Sequence, residues 1–90
     1  MNLGLTMDSN NGDFPTKDIY LAAAIKAKGC KLLRVDKKDR MAIFVFYNTP
    51  ELSQIVTDYM NKELVHEVHE LFDSWRSLKS LMYSILDNVR

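Results

Sequence analysis

The last quarter of the chain, Leu64 to Val89, carries apolar residues at alternating spacings of four and three. These residues are Leu64, Val68, Leu71, Trp75, Leu78, Met82, Ile85 and Val89. Such a pattern is typical of a helix that packs along its whole length. Because neither Gly nor Pro interrupts it, the pattern predicts one helix of about 25 residues, roughly 37 Å long.

Two interpretations of this apolar face remain open. In the first, the face is ordinary core that covers a β-hairpin and two shorter helices. In the second, part of it is the interface of a homodimer or of a complex with another protein, because the chain carries much apolar surface for its size. The candidate interface residues on this face are Trp75, Leu78, Met82 and Ile85. Phe44 and Phe46 are added from the segment Met41–Tyr47, a predicted strand that is apolar on both faces.

Length and composition indicate one small domain. Ninety residues are too few for two independent cores, and 47% of them are hydrophobic, which excludes a disordered chain. Cys30 is the single cysteine, so no disulfide forms within the chain. The lone cysteine and the absence of a signal-peptide pattern favour a cytoplasmic setting. No stretch approaches the ~18 apolar residues of a membrane span, so no membrane partner is expected.

The formal net charge is zero, but the charges are segregated along the chain. The segment from Lys26 to Arg40 holds seven basic and two acidic residues, and the segment from Glu51 to Asp73 holds six acidic and one basic. A basic segment can contact phosphates, which makes nucleic-acid binding the alternative hypothesis. Its candidate residues are Lys31, Arg34, Lys37, Lys38, Arg40, Arg76 and Lys79.

The first half of the chain predicts a tail, a helix and a hairpin. Residues 1–14 are expected to form a disordered or loosely attached tail, which leaves residues 15–90 as the domain. Thr16 is the predicted N-cap of an Ala-rich first helix, and Gly29 is its predicted left-handed stop. Cys30–Val35 and Met41–Tyr47 are the predicted strands, joined by a polar loop of four or five residues.

The second half predicts two helices. Thr49 is placed as an N-cap, Pro50 as the first helical residue and Glu51 in the first turn. This helix is expected to end near Asn61, after which Lys62–Val65 is either a short connection or the frayed start of the long final helix. The predicted class is therefore α+β, in the order helix, strand, strand, helix, helix.

Several short motifs give a resemblance to a known family. They are Thr16-Lys-Asp-Ile-Tyr-Leu-Ala-Ala-Ala-Ile, Gly29, Ile43-Phe-Val-Phe, Thr49-Pro-Glu-Leu and Leu78-Lys-Ser-Leu-Met-Tyr. From Thr16 to Tyr83 the chain resembles a small prokaryotic and phage-associated family that is catalogued only as a domain of unknown function. The resemblance implies a compact α+β domain of bacteria, archaea or their mobile elements. It transfers no catalytic residue.

The sequence offers no set of residues typical of an enzyme. His66 and His69 are three residues apart, whereas a zinc-binding helix of the zincin type places its two histidines four apart, so solvated helix residues are expected. Cys30 has no adjacent His or acid and is predicted to be a buried, inert thiol. There is no Gly-rich phosphate loop. The prediction is a non-enzymatic binding module with no metal and no cofactor, whose partner is a protein, including a second copy of itself.

Overall fold

The structure is a computed structural model that describes residues 12–87. Its elements are β1 (Asp13–Thr16), α1 (Ile19–Ala27), β2 (Leu32–Lys38), β3 (Met41–Tyr47), α2 (Pro50–Met60) and α3 (Val68–Asp87). The predicted α+β class is confirmed, as is the order of a helix, a hairpin and two helices. None of the helices within residues 12–87 combines the length and apolarity that a membrane span requires.

The sheet has three antiparallel strands in the order β1-β3-β2. β2 begins at Leu32, two residues later than predicted, and continues to Lys38, which pairs with Met41. The predicted four- or five-residue loop is therefore wrong, because Asp39 and Arg40 alone make the turn. Asp39 has a φ of 58°, a left-handed conformation that Asp enters more readily than most residues, and a two-residue hairpin turn needs such a residue.

The strand β1 was not predicted. Asp13 and Phe14 were assigned to the tail, but they begin this strand and pair with Tyr47 and Phe46 of β3. Pro15 lacks a backbone N–H, and an edge strand is the position in a sheet where such a residue is tolerated. Gly12 accepts a hydrogen bond from the Asn48 N–H at 2.9 Å through its carbonyl, and residues 1–11 of the predicted tail lie outside the described part of the chain.

The first helix starts later than its predicted cap. Asp18, not Thr16, is the N-cap of α1, and its Oδ1 accepts hydrogen bonds from the N–H groups of Tyr20 at 2.9 Å and Leu21 at 3.3 Å. Thr16 belongs to β1 and its Oγ1 accepts a bond from the Asp18 N–H at 3.1 Å. The predicted stop is confirmed, since Gly29 follows the helix with a φ of 92°.

The second helix has the predicted boundaries. The Oγ1 of Thr49 accepts a hydrogen bond from the N–H of Leu52 at 3.1 Å, Pro50 is the first helical residue and Asn61 is the C-cap. Lys62 then takes a φ of 61°, which turns the chain away from the helix axis.

The long final helix begins at Val68 and has 20 residues, fewer than the ~25 expected from the apolar pattern that starts at Leu64. Of the two alternatives for Lys62–Val65, the short connection is therefore correct. The side chain of Glu67 caps the new start, because its Oε1 accepts a hydrogen bond from the Glu70 N–H at 2.9 Å. Leu64 lies in the connection between α2 and α3. Val89, the last residue of the apolar pattern, lies outside the described residues.

One hydrophobic core joins all three helices to one face of the sheet. Its buried residues are Leu21, Ala22, Ala23, Ile25, Ala42, Phe44, Phe46, Leu52 and Leu78. At its centre Leu78 of α3 is 0% exposed, as are Phe44 and Phe46 of β3. For these three positions the core interpretation of the apolar pattern is confirmed.

The opposite face of the sheet carries a charged side chain beside its buried residue, Val45. Arg34 of β2 lies beside Val45 and forms ion pairs with Asp36 at 3.1 Å and with Asp13 of β1 at 3.6 Å. Since β3 lies between β1 and β2, the pair with Asp13 carries the Arg34 side chain across β3. Val45 is buried there although it is not part of the main core, and the aliphatic stem of an arginine is able to cover apolar surface of this kind.

Candidate functional site

An apolar cleft of about 310 Å³ opens between α1, the end of α2 and the first half of α3. The residues that line it are Tyr20, Ala23, Ala24, Tyr59, His66, Leu71, Phe72 and Trp75. The chain has one Trp, four Tyr and four Phe, and four of these nine aromatic side chains meet in this cleft. We call these eight residues the aromatic cleft.

The cleft follows from the sizes of the side chains on neighbouring helices. Ala23 and Ala24 present only methyl groups on α1, so the helices pack closely while a hollow remains beside them. Tyr59 approaches from the last turn of α2, and Phe72 and Trp75 approach from α3. Small residues at the floor and large aromatic residues at the walls therefore produce the concavity.

The edges of the cleft are unusually apolar for a protein surface. Tyr20 is 66% exposed and Phe72 is 53% exposed, and Val68 lies exposed one helical turn before Phe72. Exposed large apolar side chains that cluster around a hollow are characteristic of a docking surface, whereas isolated ones are ordinary.

Trp75 has an unpaired hydrogen-bond donor in the cleft. Its indole Nε1 is buried and has no hydrogen-bond acceptor among the described residues. Leaving a buried donor unpaired costs about 1–3 kcal/mol. The Nζ of Lys79 lies 4.3 Å from the centroid of the Trp75 ring, a cation–π contact between residues one turn apart on α3.

His66 is the one residue of the cleft with an ordinary pKa near neutrality. It lies in the connection that precedes α3 and is half-buried. Burial lowers the pKa of the imidazole, the positive charge of Lys28 lowers it further, and the carboxylate of Glu70 acts in the opposite direction. At pH 7 the imidazole is therefore neutral.

The predicted interface residues divide into three groups in the structure. Leu78, Phe44 and Phe46 are fully buried in the core and present no surface to a partner. Met82 and Ile85 are half-buried on α3. Trp75, the remaining predicted residue, lines the aromatic cleft.

The residues that sequence reasoning missed are those that surround Trp75. Tyr20, Tyr59 and Phe72 were not among the predicted interface residues. No local pattern identifies them, because the cleft depends on how α1 and α2 meet α3.

The predicted nucleic-acid residues are not equally available. Arg34 is paired with Asp13 and Asp36, Arg76 is 3.6 Å from Asp73, and Lys79 lies on Trp75. The remaining four, Lys31, Lys37, Lys38 and Arg40, are exposed and have no ion-pair partner within residues 12–87.

A second, more open groove lies on the other side of α3. Lys26 and Lys31 line it together with the α3 residues Ser77, Ser80 and Ser84, and the rest of the lining is Cys30, Leu32 and Leu81. Ammonium and hydroxyl groups both donate hydrogen bonds that an anion accepts, so the polar part of this groove suits an anion.

The other polar candidates do not assemble into a reactive site. His66 faces the aromatic cleft, whereas the side chain of His69 is 89% exposed and lies 3.4 Å from Glu67. The described residues contain no group of three or more metal-binding side chains. Burial, together with the nearby carboxylate of Glu51, raises the pKa of the Cys30 thiol. The adjacent lysines therefore do not activate this cysteine as a nucleophile.

Comparison with known proteins identifies a family. Residues 11–84 match the family model described as "Domain of unknown function (DUF5659)". No curated protein and no solved structure matches the chain. The match extends from just before β1 into the last turns of α3, so it includes both the core and the aromatic cleft.

Proposed function

The chain belongs to the DUF5659 family, and we propose that it is a small non-enzymatic binding module whose docking surface is the aromatic cleft. The observation that supports this proposal is the meeting of four aromatic side chains around one hollow, with two of them largely exposed at its edges. Tyr, Trp and Phe are the residues that most often dominate the energetics of protein interfaces.

The charges around the cleft favour an apolar protein partner. The nearby cations are Lys28 and Lys79, and the nearby carboxylates include Glu70 and Asp18. Burial raises the pKa of Tyr59, and the negative charge of Asp18 raises it further. With both signs present and the imidazole neutral, neither an anion nor a cation is strongly attracted. Binding here is therefore driven by removal of apolar surface from water.

A second copy of the chain is the partner we favour. A two-fold dimer brings the same surface of each copy together, so that surface must be complementary to itself. Here the exposed Phe72 and Tyr20 rings stand at the edge of the same hollow that would receive their counterparts. In addition, the chain has zero formal net charge and thus no net repulsion between copies.

The test is the solution mass, measured by light scattering over a dilution series at low and high salt. We expect a dimer whose dissociation constant changes little with salt, because apolar contacts are not screened. The matched variants are Phe72→Ser and Tyr47→Ser, since these two aromatic residues are 53% and 55% exposed but only Phe72 borders the cleft.

Phe72→Ser should shift the equilibrium to monomer while Tyr47→Ser remains dimeric. Equal effects of the two substitutions, or a wild-type monomer at every concentration, would contradict a self-association surface at the cleft. If the wild type is a monomer but binds a different protein through Phe72, the aromatic cleft is still the docking surface and only the proposed partner is wrong.

The alternative function is association with nucleic acid, in an accessory protein of a phage or another mobile element. The groove with Lys26, Lys31 and three serines supports it, together with the exposed Lys37 and Lys38. It is the weaker proposal because Arg34 is occupied by two aspartates. A phosphate-binding surface would lose affinity steeply as salt rises, which distinguishes it from the apolar cleft.

We also propose a cytoplasmic location. The support is Cys30, a free thiol, which is suited to a compartment where thiols stay reduced.

A further inference from the structure

We propose that His66 makes docking at the aromatic cleft dependent on pH, so that a second copy is accepted only while the imidazole is neutral. This inference rests on the proposed function and assigns a regulation to that same surface. It begins from one structural fact, the presence of a half-buried histidine in the wall of an otherwise uncharged cleft.

The other side chains of the cleft do not change charge between pH 5 and pH 8. Five of them carry no ionisable group, a tyrosine phenol ordinarily ionises near pH 10, and burial raises the pKa of Tyr59 further. The residues that act on His66 come from three elements: Lys28 follows α1, Tyr59 ends α2 and Glu70 lies in the first turn of α3. The positive charge of Lys28 disfavours protonation of His66, whereas the carboxylate of Glu70 favours it.

Docking makes the protonated state less favourable than it is in the free chain. When a second copy covers the cleft, the imidazole loses contact with water, and removal of a charge from water is strongly unfavourable without a close partner. Glu70 is exposed and does not form an ion pair with His66 in the structure. A protonated His66 must therefore release its proton when a second copy covers the cleft.

The direction and size of the effect follow from proton linkage. The isolated histidine has a pKa near 6.5, and in the folded chain burial lowers it. At pH values above the lowered pKa the imidazole is neutral and the dimer has its full affinity. Below it, each copy must release one proton, so a symmetric dimer weakens by up to about a hundredfold per pH unit once both histidines are protonated.

The experiment compares the two histidines of the chain, because only His66 lines the cleft and His69 is almost fully exposed. The dimer dissociation constant is measured by sedimentation at intervals from pH 8 to pH 5, with far-ultraviolet circular dichroism to follow folding. The dissociation constants of the wild type and His69→Gln should both rise as the pH falls from 7.5 to 5, with a slope that approaches about a hundredfold per pH unit, while both remain folded. For His66→Gln the dimer dissociation constants at pH 7.5 and at pH 5 should be nearly equal.

Two results would overturn the inference alone: a wild-type dimer that does not respond to pH, or a His66→Gln dimer that weakens in acid as the wild type does. Acid unfolding of the wild type at pH 5 that also occurs in His66→Gln would overturn it as well. A chain that is monomeric at every pH would overturn both the inference and self-association at the cleft, so the two failures are distinguishable.

Discussion

Replacement of Leu78 by alanine tests whether the centre of α3 is core. The Leu78 side chain is 0% exposed and belongs to the same buried cluster as Phe44, Phe46 and Leu52. Leu81 lies one turn further along the same helix and is 41% exposed. Leu81→Ala is therefore a matched control with the same chemical change and the same change in helix propensity.

The expected magnitude follows from burial. Removal of a fully buried leucine side chain costs about 3–5 kcal/mol, because the transfer term and the residual cavity add together. A domain of this size has a total free energy of unfolding of about 4–11 kcal/mol at ~0.05–0.15 kcal/mol per residue. Leu78→Ala should thus remove at least a quarter of the stability and lower Tm by roughly 12 °C or more. Leu81→Ala should cost less than about 1.5 kcal/mol, because its side chain is already partly in water.

The assay is urea unfolding followed by circular dichroism at a concentration where the chain is monomeric. The midpoint should fall with little change in the slope, since the unfolded surface is nearly the same. If Leu78→Ala and Leu81→Ala differ by less than about 1 kcal/mol, the Leu78 position is not core and the packing described above is incorrect.

Three further outcomes are expected. Thr49→Ala removes the acceptor of the Leu52 N–H and should lower the free energy of unfolding by about 1 kcal/mol in the same urea assay, and an unchanged midpoint would contradict the cap. Gly29→Ala should cost about 1–2 kcal/mol through backbone strain alone, because φ is 92° and a Cβ would meet no atom within 4 Å. Cys30, whose thiol pKa is raised, should react with iodoacetamide at pH 7 more slowly than free cysteine, and faster reaction would show an activated thiolate.

Local signals in the sequence predicted the elements whose ends are determined locally. Thr49 and Pro50 specify the start of α2 through one hydrogen bond and one fixed φ, and Gly29 ends α1 because the backbone there is left-handed. The continuous run of apolar, largely β-branched and aromatic residues at Met41–Tyr47 likewise identified β3 with its observed bounds. In each case the determining residues are neighbours in the chain.

Elements that depend on distant contacts were missed or misplaced. β1 contains Pro15 and one large apolar residue, so it has no strand pattern and forms only because β3 offers a free edge. Its formation withdraws Thr16 from the helix, which leaves Asp18 as the cap. The helix α3 starts at Val68 and not at Leu64, because the Glu67 side chain accepts a hydrogen bond from the first turn and the apolar Leu64 side chain has no acceptor.

The candidate site was predicted only in part for the same reason. Trp75 was identified from its place on the apolar face of α3, but Leu78 on that same face proved to be core. Helical spacing says which residues share a face, and it does not say where along the face the neighbouring helix ends. The alanines of α1 and the position of Tyr59 decide that, and both act through tertiary packing.

The most direct test of the docking surface uses the fluorescence of Trp75, the only tryptophan of the chain and a wall of the cleft. Acrylamide quenching of this residue is measured at pH 7.5 across a dilution series, in parallel with the solution mass. We predict that quenching decreases as the mass doubles, and that Phe72→Ser shows neither change. A mass that doubles while quenching of Trp75 stays constant would place the interface elsewhere and contradict the aromatic cleft as the docking surface.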